Sequence, residues 1–222
     1  MSKYFVILVP TLVIILIRMR PLDLIFRPLN TLTHEFSHAT VALVLRQKVK
    51  RIVLNRDFSG SCLTMTSNKK ALFFISLAGY TVPSVLGYAL IYITDKNPSA
   101  WCFYIITAIC VAVLIFALGS GFGRLWVMIF AAFNFALALL KDFGAYYPYV
   151  LYLYACILLI ENLWSTVTLL YISLVSPKKA GDAALLAKTT HVPAVLWSLF
   201  FVCFTVFMFY KSIMLLKTLV VL

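Results

Sequence analysis

The sequence predicts an all-α integral membrane protein: a polytopic helical bundle of about six to seven spanning helices, with a small β-hairpin after the second. Two compositional observations and one pattern predict it. Of the 222 residues, 64% are hydrophobic and only 12% charged, against roughly 25% charged in a soluble domain. Mean hydropathy is +1.02. Long apolar runs recur along the whole chain, and in hydrocarbon every backbone N–H and C=O has to be satisfied internally, which spanning helices achieve.

The first apolar run covers about residues 4–18. It lacks a small-residue cleavage site and is followed by Arg18, Arg20 and Pro21, so it is expected to stay in the mature protein. A second run, Leu22 to Leu45, is long enough to cross a core of about 30 Å at 1.5 Å per residue. Residues 46–70 break the pattern. There Arg46, Lys48, Lys50, Arg51, Arg56, Lys69 and Lys70 enclose two strand-like stretches, Ile52 to Leu54 and Leu63 to Thr66. Between them Arg56-Asp57-Phe58-Ser59-Gly60-Ser61 reads as a hairpin turn. Apolar runs then follow at about 71–94, 100–118, 123–140, 148–175 and 192–215. The polar stretch Ser176 to His191 is short, and no repeat or soluble module interrupts the chain, so residues 1–222 are expected to form one membrane domain.

Charge and cysteine content narrow the function classes. The net charge of +12 sits in short segments between apolar runs, which fits lipid headgroups and not nucleic acid. With seven spans the more basic side holds the N-terminus and the hairpin, which the positive-inside rule places in the cytoplasm. Cys62, Cys102, Cys110, Cys156 and Cys203 show no CxxC spacing, so neither a disulfide framework nor a cysteine metal site is expected.

Chemistry concentrates in the second run, at His34-Glu35-Phe36-Ser37-His38. Residues four apart share a helix face, so His34 and His38 can present imidazole nitrogens to one zinc ion, with Glu35 beside a bound water. Such a water ionises near neutral pH, and a neighbouring carboxylate can act as general base and later return the proton to a leaving amine. The chain has three histidines and two glutamates, from which a shuffle would produce HExxH with a probability of roughly 4 in 10,000. Ionisable groups inside a span are energetically expensive and mark functional sites. Thr33 and Ser37 flank the motif with hydroxyls able to bond backbone or ligand.

An HExxH within a membrane helix resembles the site-2 protease-type intramembrane zinc metalloproteases, in particular their minimal branch. His34 to Ala39, the basic hairpin with Gly60, Leu77-Ala78-Gly79-Tyr80, Gly181-Asp182-Ala183 and Thr189 to Pro193 follow that branch in order. The resemblance implies a zinc metalloendopeptidase acting on membrane-protein substrates within the lipid bilayer, with zinc on His34, His38 and Asp182 and with Glu35 catalytic. The larger members carry an Asn-Pro-rich segment before the aspartate, which this chain lacks.

Read from the residues themselves, Asp182 lies among Lys178, Lys179 and Lys188 and is equally a solvated helix-capping aspartate. To reach His34, residues 180–190 would have to dip into the bundle. Glu161, inside the run Val150 to Ser176, is the rival: a ligand, a group orienting a ligand histidine, or a neutral hydrogen-bonded acid. Asn162 and Asn134 read as interhelical glue or as donors to an oxyanion. His191, like Tyr80, Trp101, Tyr146, Tyr147 and Trp197, reads as an interfacial residue. The hairpin offers an edge that an extended peptide can join, or else a basic loop attracted to anionic lipid. The alternative to a protease is an inactive membrane scaffold or an ion-relay or transport protein that retains the HExxH helix.

Overall fold

The computed structural model describes residues 3–96, 98–116 and 119–220, with the side chains of Lys3, Phe116, Lys141, Asp142 and 218–220 outside the description. Its elements run α1 (Lys3–Leu16), α2 (Asp23–Val44), β1 (Lys48–Leu54), β2 (Gly60–Met65), α3 (Lys69–Asp95), α4 (Ala100–Phe116), α5 (Gly121–Leu139), α6 (Tyr147–Val175), α7 (Gly181–Thr190) and α8 (Ala194–Val220). Seven of the helices occupy the seven apolar runs, and the only sheet among the described residues is the hairpin after α2. By length and composition α3, α5, α6 and α8 are apolar enough to cross a membrane. The chain is an integral, multi-pass membrane protein. Helix α2, at 22 residues, is about 33 Å long, but Asp23, Arg27 and Glu35 lower its apolarity.

Two helices, α3 and α6, frame α2. Helix α3 runs against it through Ala42, Ala71 and Ile75. Helix α6 packs on α3 where Gly87 faces Leu159, with no room for a Cβ, which would stand 2.7 Å from Leu159 Cγ. Small residues at such crossings let membrane helices approach closely. Asn68 caps α3, accepting from the backbone N–H of Lys70 and Ala71 at 2.9 and 3.3 Å.

The hairpin folds back along α2 instead of lying across its end. Ile52 and Leu54 are buried against Leu32 of α2 and against Cys110, Val113, Val127 and Ala131 of α4 and α5. The outer edge of β1 is occupied by the α4–α5 turn: Gly119 N–H donates to Ile52 O at 2.8 Å, and Ser120 Oγ bridges the N–H and C=O of Leu54 at 3.2 and 2.8 Å. Ile52 stands opposite Cys62 in the register. In an antiparallel ladder a residue pair whose backbone groups point outward on one strand points outward on the other as well. The free edge of the hairpin is therefore β2, and it faces α2.

The short polar stretch Ser176 to His191 contains a helix. After α6, a turn of 3-10 helix at Pro177–Lys179 leads to Gly181 at φ +42°, a backbone conformation that glycine adopts at no steric cost. This reversal drives α7 back into the bundle, where Ala180, Ala183 and Leu186 are buried among Leu77, Tyr80, Leu169 and Phe201. The apolar spacing 183–186 supplies the buried face.

Candidate metal centre

The dip of α7 sets Asp182 against the histidine pair of α2. Asp182 Oδ2 stands 3.3 Å from His34 Nε2 and 3.3 Å from His38 Nε2, and the two Nε2 atoms are 3.1 Å apart. Tetrahedral ligands bound about 2.0–2.1 Å from zinc lie about 3.3–3.4 Å from one another. The donor triangle thus has the size and the nitrogen and oxygen chemistry of a three-residue zinc site with one position left for water. Among the described residues no other group of three His, Cys, Asp or Glu side chains converges this way.

The tautomer of His38 follows from its second nitrogen. Nδ1 lies 2.6 Å from the carbonyl oxygen of Ile75. A carbonyl only accepts, so Nδ1 carries the hydrogen and Nε2 keeps its lone pair for a metal. Gly79, one turn further along α3, leaves the floor of the site open. A Cβ there would stand 2.5 Å from His38 Cε1 and 2.6 Å from His34 Cε1.

Glu35 is next to the triangle and only 5% exposed. The hairpin covers it: a Cβ on Gly60 would stand 2.5 Å from Glu35 Oε1, and the backbone N–H of Cys62 faces its carboxylate. His34, Glu35, His38 and Asp182 line a cleft of about 600 Å³, together with Gly60, Cys62 and Thr64 of β2 and Lys178 and Lys179 near its mouth.

A family model described as Peptidase M50B-like matches residues 6–212. The chain belongs to the Peptidase M50B-like family. Comparison with curated proteins and with solved structures brings up no match. Membership makes the chain a membrane metalloprotease of the site-2 type, a class that works with a bound metal.

Of the residues flanking or rivalling the triangle, Glu161 is the one whose reading as a ligand fails, while Asn162, Asn134, Thr33, Ser37 and His191 take one of the roles read from the sequence. Glu161 lies away from the triangle, pairing with Arg18 Nη1 and Arg27 Nε, each at 3.2 Å. Asn162 Nδ2 donates to Tyr80 O at 2.9 Å and to Ser84 Oγ at 2.7 Å, and Asn134 Nδ2 to Phe130 O at 2.8 Å. Both are interhelical or intrahelical ties. The hydroxyls of Thr33 and Ser37 donate to carbonyls of their own helix at 2.6 Å each. His191 is exposed and closes α7 in the left-handed conformation, φ +64°.

Tyr80 is a correction. It reads as an interface anchor, yet its ring meets His34 edge-on at 4.5 Å and lines the cleft. The available signal was its setting: Ser76, Gly79, Pro83 and Gly87 recur at three- and four-residue spacing and mark a close-packing face on α3. Of the other aromatics, Tyr147 is buried and donates to Leu137 O at 3.1 Å. Trp197 packs on Phe73 and donates to Thr190 Oγ1 at 3.0 Å, while Trp101 and Tyr146 are exposed.

Proposed function

We propose that this M50B-like chain is a zinc-dependent endopeptidase that hydrolyses peptide bonds in or near transmembrane segments of membrane-protein substrates. The observation that carries the reading is the convergence of His34 Nε2, His38 Nε2 and Asp182 Oδ2 at 3.1–3.3 Å beside a buried Glu35. Zinc on those three residues would supply Lewis acidity to the attacking water and to the scissile carbonyl.

The chain's own groups do the rest. His38 holds its ring by the bond to Ile75, and Asp182 brings one negative charge to the two neutral imidazoles. Glu35 takes a proton from the water and delivers it to the departing amine nitrogen, the two roles a single carboxylate can fill in succession. An extended substrate segment joins the outward edge of β2 at Thr64, which lines the cleft beyond the stretch packed on Glu35, so that backbone hydrogen bonds carry it past that carboxylate. A helical substrate has to unwind locally to do so, since its backbone groups are otherwise paired within the helix.

The test is Glu35→Gln in the purified full chain reconstituted in lipid. Cleavage of a transmembrane model substrate is expected to fall at least about 100-fold, with one zinc per chain retained. Activity persisting in that variant removes the mechanism, and wild-type protein without stoichiometric zinc removes the metallopeptidase reading.

A further inference from the structure

A charged cluster around a buried carboxylate lies apart from the donor triangle. The Glu161 carboxylate is 3% exposed and faces two guanidinium groups, Arg18 of the α1–α2 turn and Arg27 of α2. Only Arg27 makes a hydrogen bond; Arg18 faces Oε1 as an ion pair without hydrogen-bond geometry. Burying the Glu161 carboxylate is energetically expensive, and a single partly exposed arginine is enough to pair it.

What Arg27 does with its other face accounts for the cluster. Its guanidinium carbon stands 4.0 Å over the ring of Phe58, at the hairpin tip. Thr31, one turn on, donates from Oγ1 to Phe58 O at 3.0 Å. Thr31 also abuts Gly60, where a Cβ would lie 2.7 Å from its Cγ2. Glu35, a further turn on, is reached by Gly60 and by Cys62 N–H. Residues 27, 31 and 35 share one face of α2, and they grip residues 58, 60 and 62 in that order. The tip closes on itself through Phe58 N–H to Asn55 O at 3.1 Å and Asn55 N–H to Ser59 O at 2.9 Å, bonds that shape the turn without fixing it to α2; Phe58 there adopts φ +66°, a conformation that is unfavourable for a bulky side chain.

We propose that Arg27 is a positioning residue: stacked on Phe58 and braced by Glu161, it fixes the hairpin tip so that the edge of β2 stands in register beside Glu35. The planar guanidinium suits this task, because one group can accept a carboxylate at its edge and an aromatic ring on its face. A lysine can neutralise Glu161 but has no face to offer. Glu161 and Arg18, whose own guanidinium lies 4.5 Å over Trp164, set the orientation of Arg27. The register argument rests on reading the cleft as a peptidase site; the clasp itself does not.

Two variants test it in the full-length zinc-loaded protein in lipid. Arg27→Lys keeps a cation for Glu161, and Phe58→Leu leaves all three charged groups untouched. Both are expected to speed hydrogen exchange at residues 58–64 at least about 10-fold while α2 amides and zinc content stay as in wild type. Phe58→Tyr, which restores a ring face, is expected to exchange like wild type. In cleavage assays the first two raise KM about 5-fold or more with kcat within about 2-fold, the pattern of lost substrate binding. Unchanged exchange in both variants overturns the clasp. Faster exchange with kcat lowered and KM constant overturns the positioning role. Should wild type show no Glu35-dependent cleavage, the peptidase reading falls alone and the exchange result still decides the clasp.

Discussion

Two clusters of ionisable side chains lie inside this bundle, both built on α2, and the partners of their carboxylates set them apart. Asp182 meets two imidazoles, at 3.3 Å each, groups that are neutral as ligands and leave three donor atoms facing one point. Glu161 meets two guanidinium groups that cannot lose their charge. The first cluster is completed by a cation; the second already contains its cations. A buried carboxylate in a membrane helix therefore says little until its partners are known. Here the deeper acid, Glu161, braces a loop, while Asp182, on a ten-residue helix, stands at the chemistry.

Exchanging each carboxylate for its amide is the most direct way to break the comparison. Asp182→Asn is expected to weaken zinc affinity by about 100-fold or more, since a neutral amide is a poor ligand and even indirect partners of a site are worth 10- to 100-fold. Stability of the metal-free protein should change little. Glu161→Gln should do the opposite. Zinc affinity stays, and stability falls by about 3 kcal/mol, the lower part of the range for stranding buried charges because Arg18 is partly exposed. Chelator competition and unfolding of the metal-free protein read the two quantities. Equal effects on both would erase the distinction.

Gly79 sharpens the first half of the comparison. Its added Cβ would stand within 2.6 Å of both imidazole rings, so Gly79→Ala has to push one of them out of the triangle. A zinc affinity about 10-fold lower is expected. Gly121→Ala is the control, because a Cβ there meets nothing within 4 Å. If Gly79→Ala binds zinc as tightly as the control, the triangle is not the metal site.

The two clusters were unequally legible in the sequence. His34, Glu35 and His38 are local, four residues apart on one helix, so periodicity alone groups them. The seven apolar runs and the hairpin were legible for the same reason: spans and turns are written in contiguous residues. Asp182 was indicated by family resemblance only, because its contact depends on a helix, α7, hidden in a polar stretch, and on the reversal at Gly181. The partners of Glu161 lie on α2 and in the α1–α2 turn, with 134 residues separating it from Arg27, and nothing in the local pattern of α6 links them. Tyr80 reads as an anchor because the aromatic alone looks the same whether it meets lipid or a histidine; the spacing of Ser76, Gly79, Pro83 and Gly87 around it is what separates the two.

Asn162 gives the finest test, since it is the neighbour of Glu161 on α6 and fully buried, yet turns to a different helix. Its amide ties α6 to Tyr80 O and Ser84 Oγ of α3, the helix that also carries Ile75 and Gly79 at the site. Hydrogen bonds between membrane helices contribute about 0.6 kcal/mol on average and at most about 1.7. Asn162→Ala is accordingly expected to lower stability by about 1 kcal/mol, a third of the effect of Glu161→Gln one position away, with zinc affinity unchanged. A loss of zinc in this variant would mean that the α3–α6 contact sets the position of Ile75 and, through it, of His38; the ligand triangle would then depend on the packing of α6 as much as on the HExxH helix.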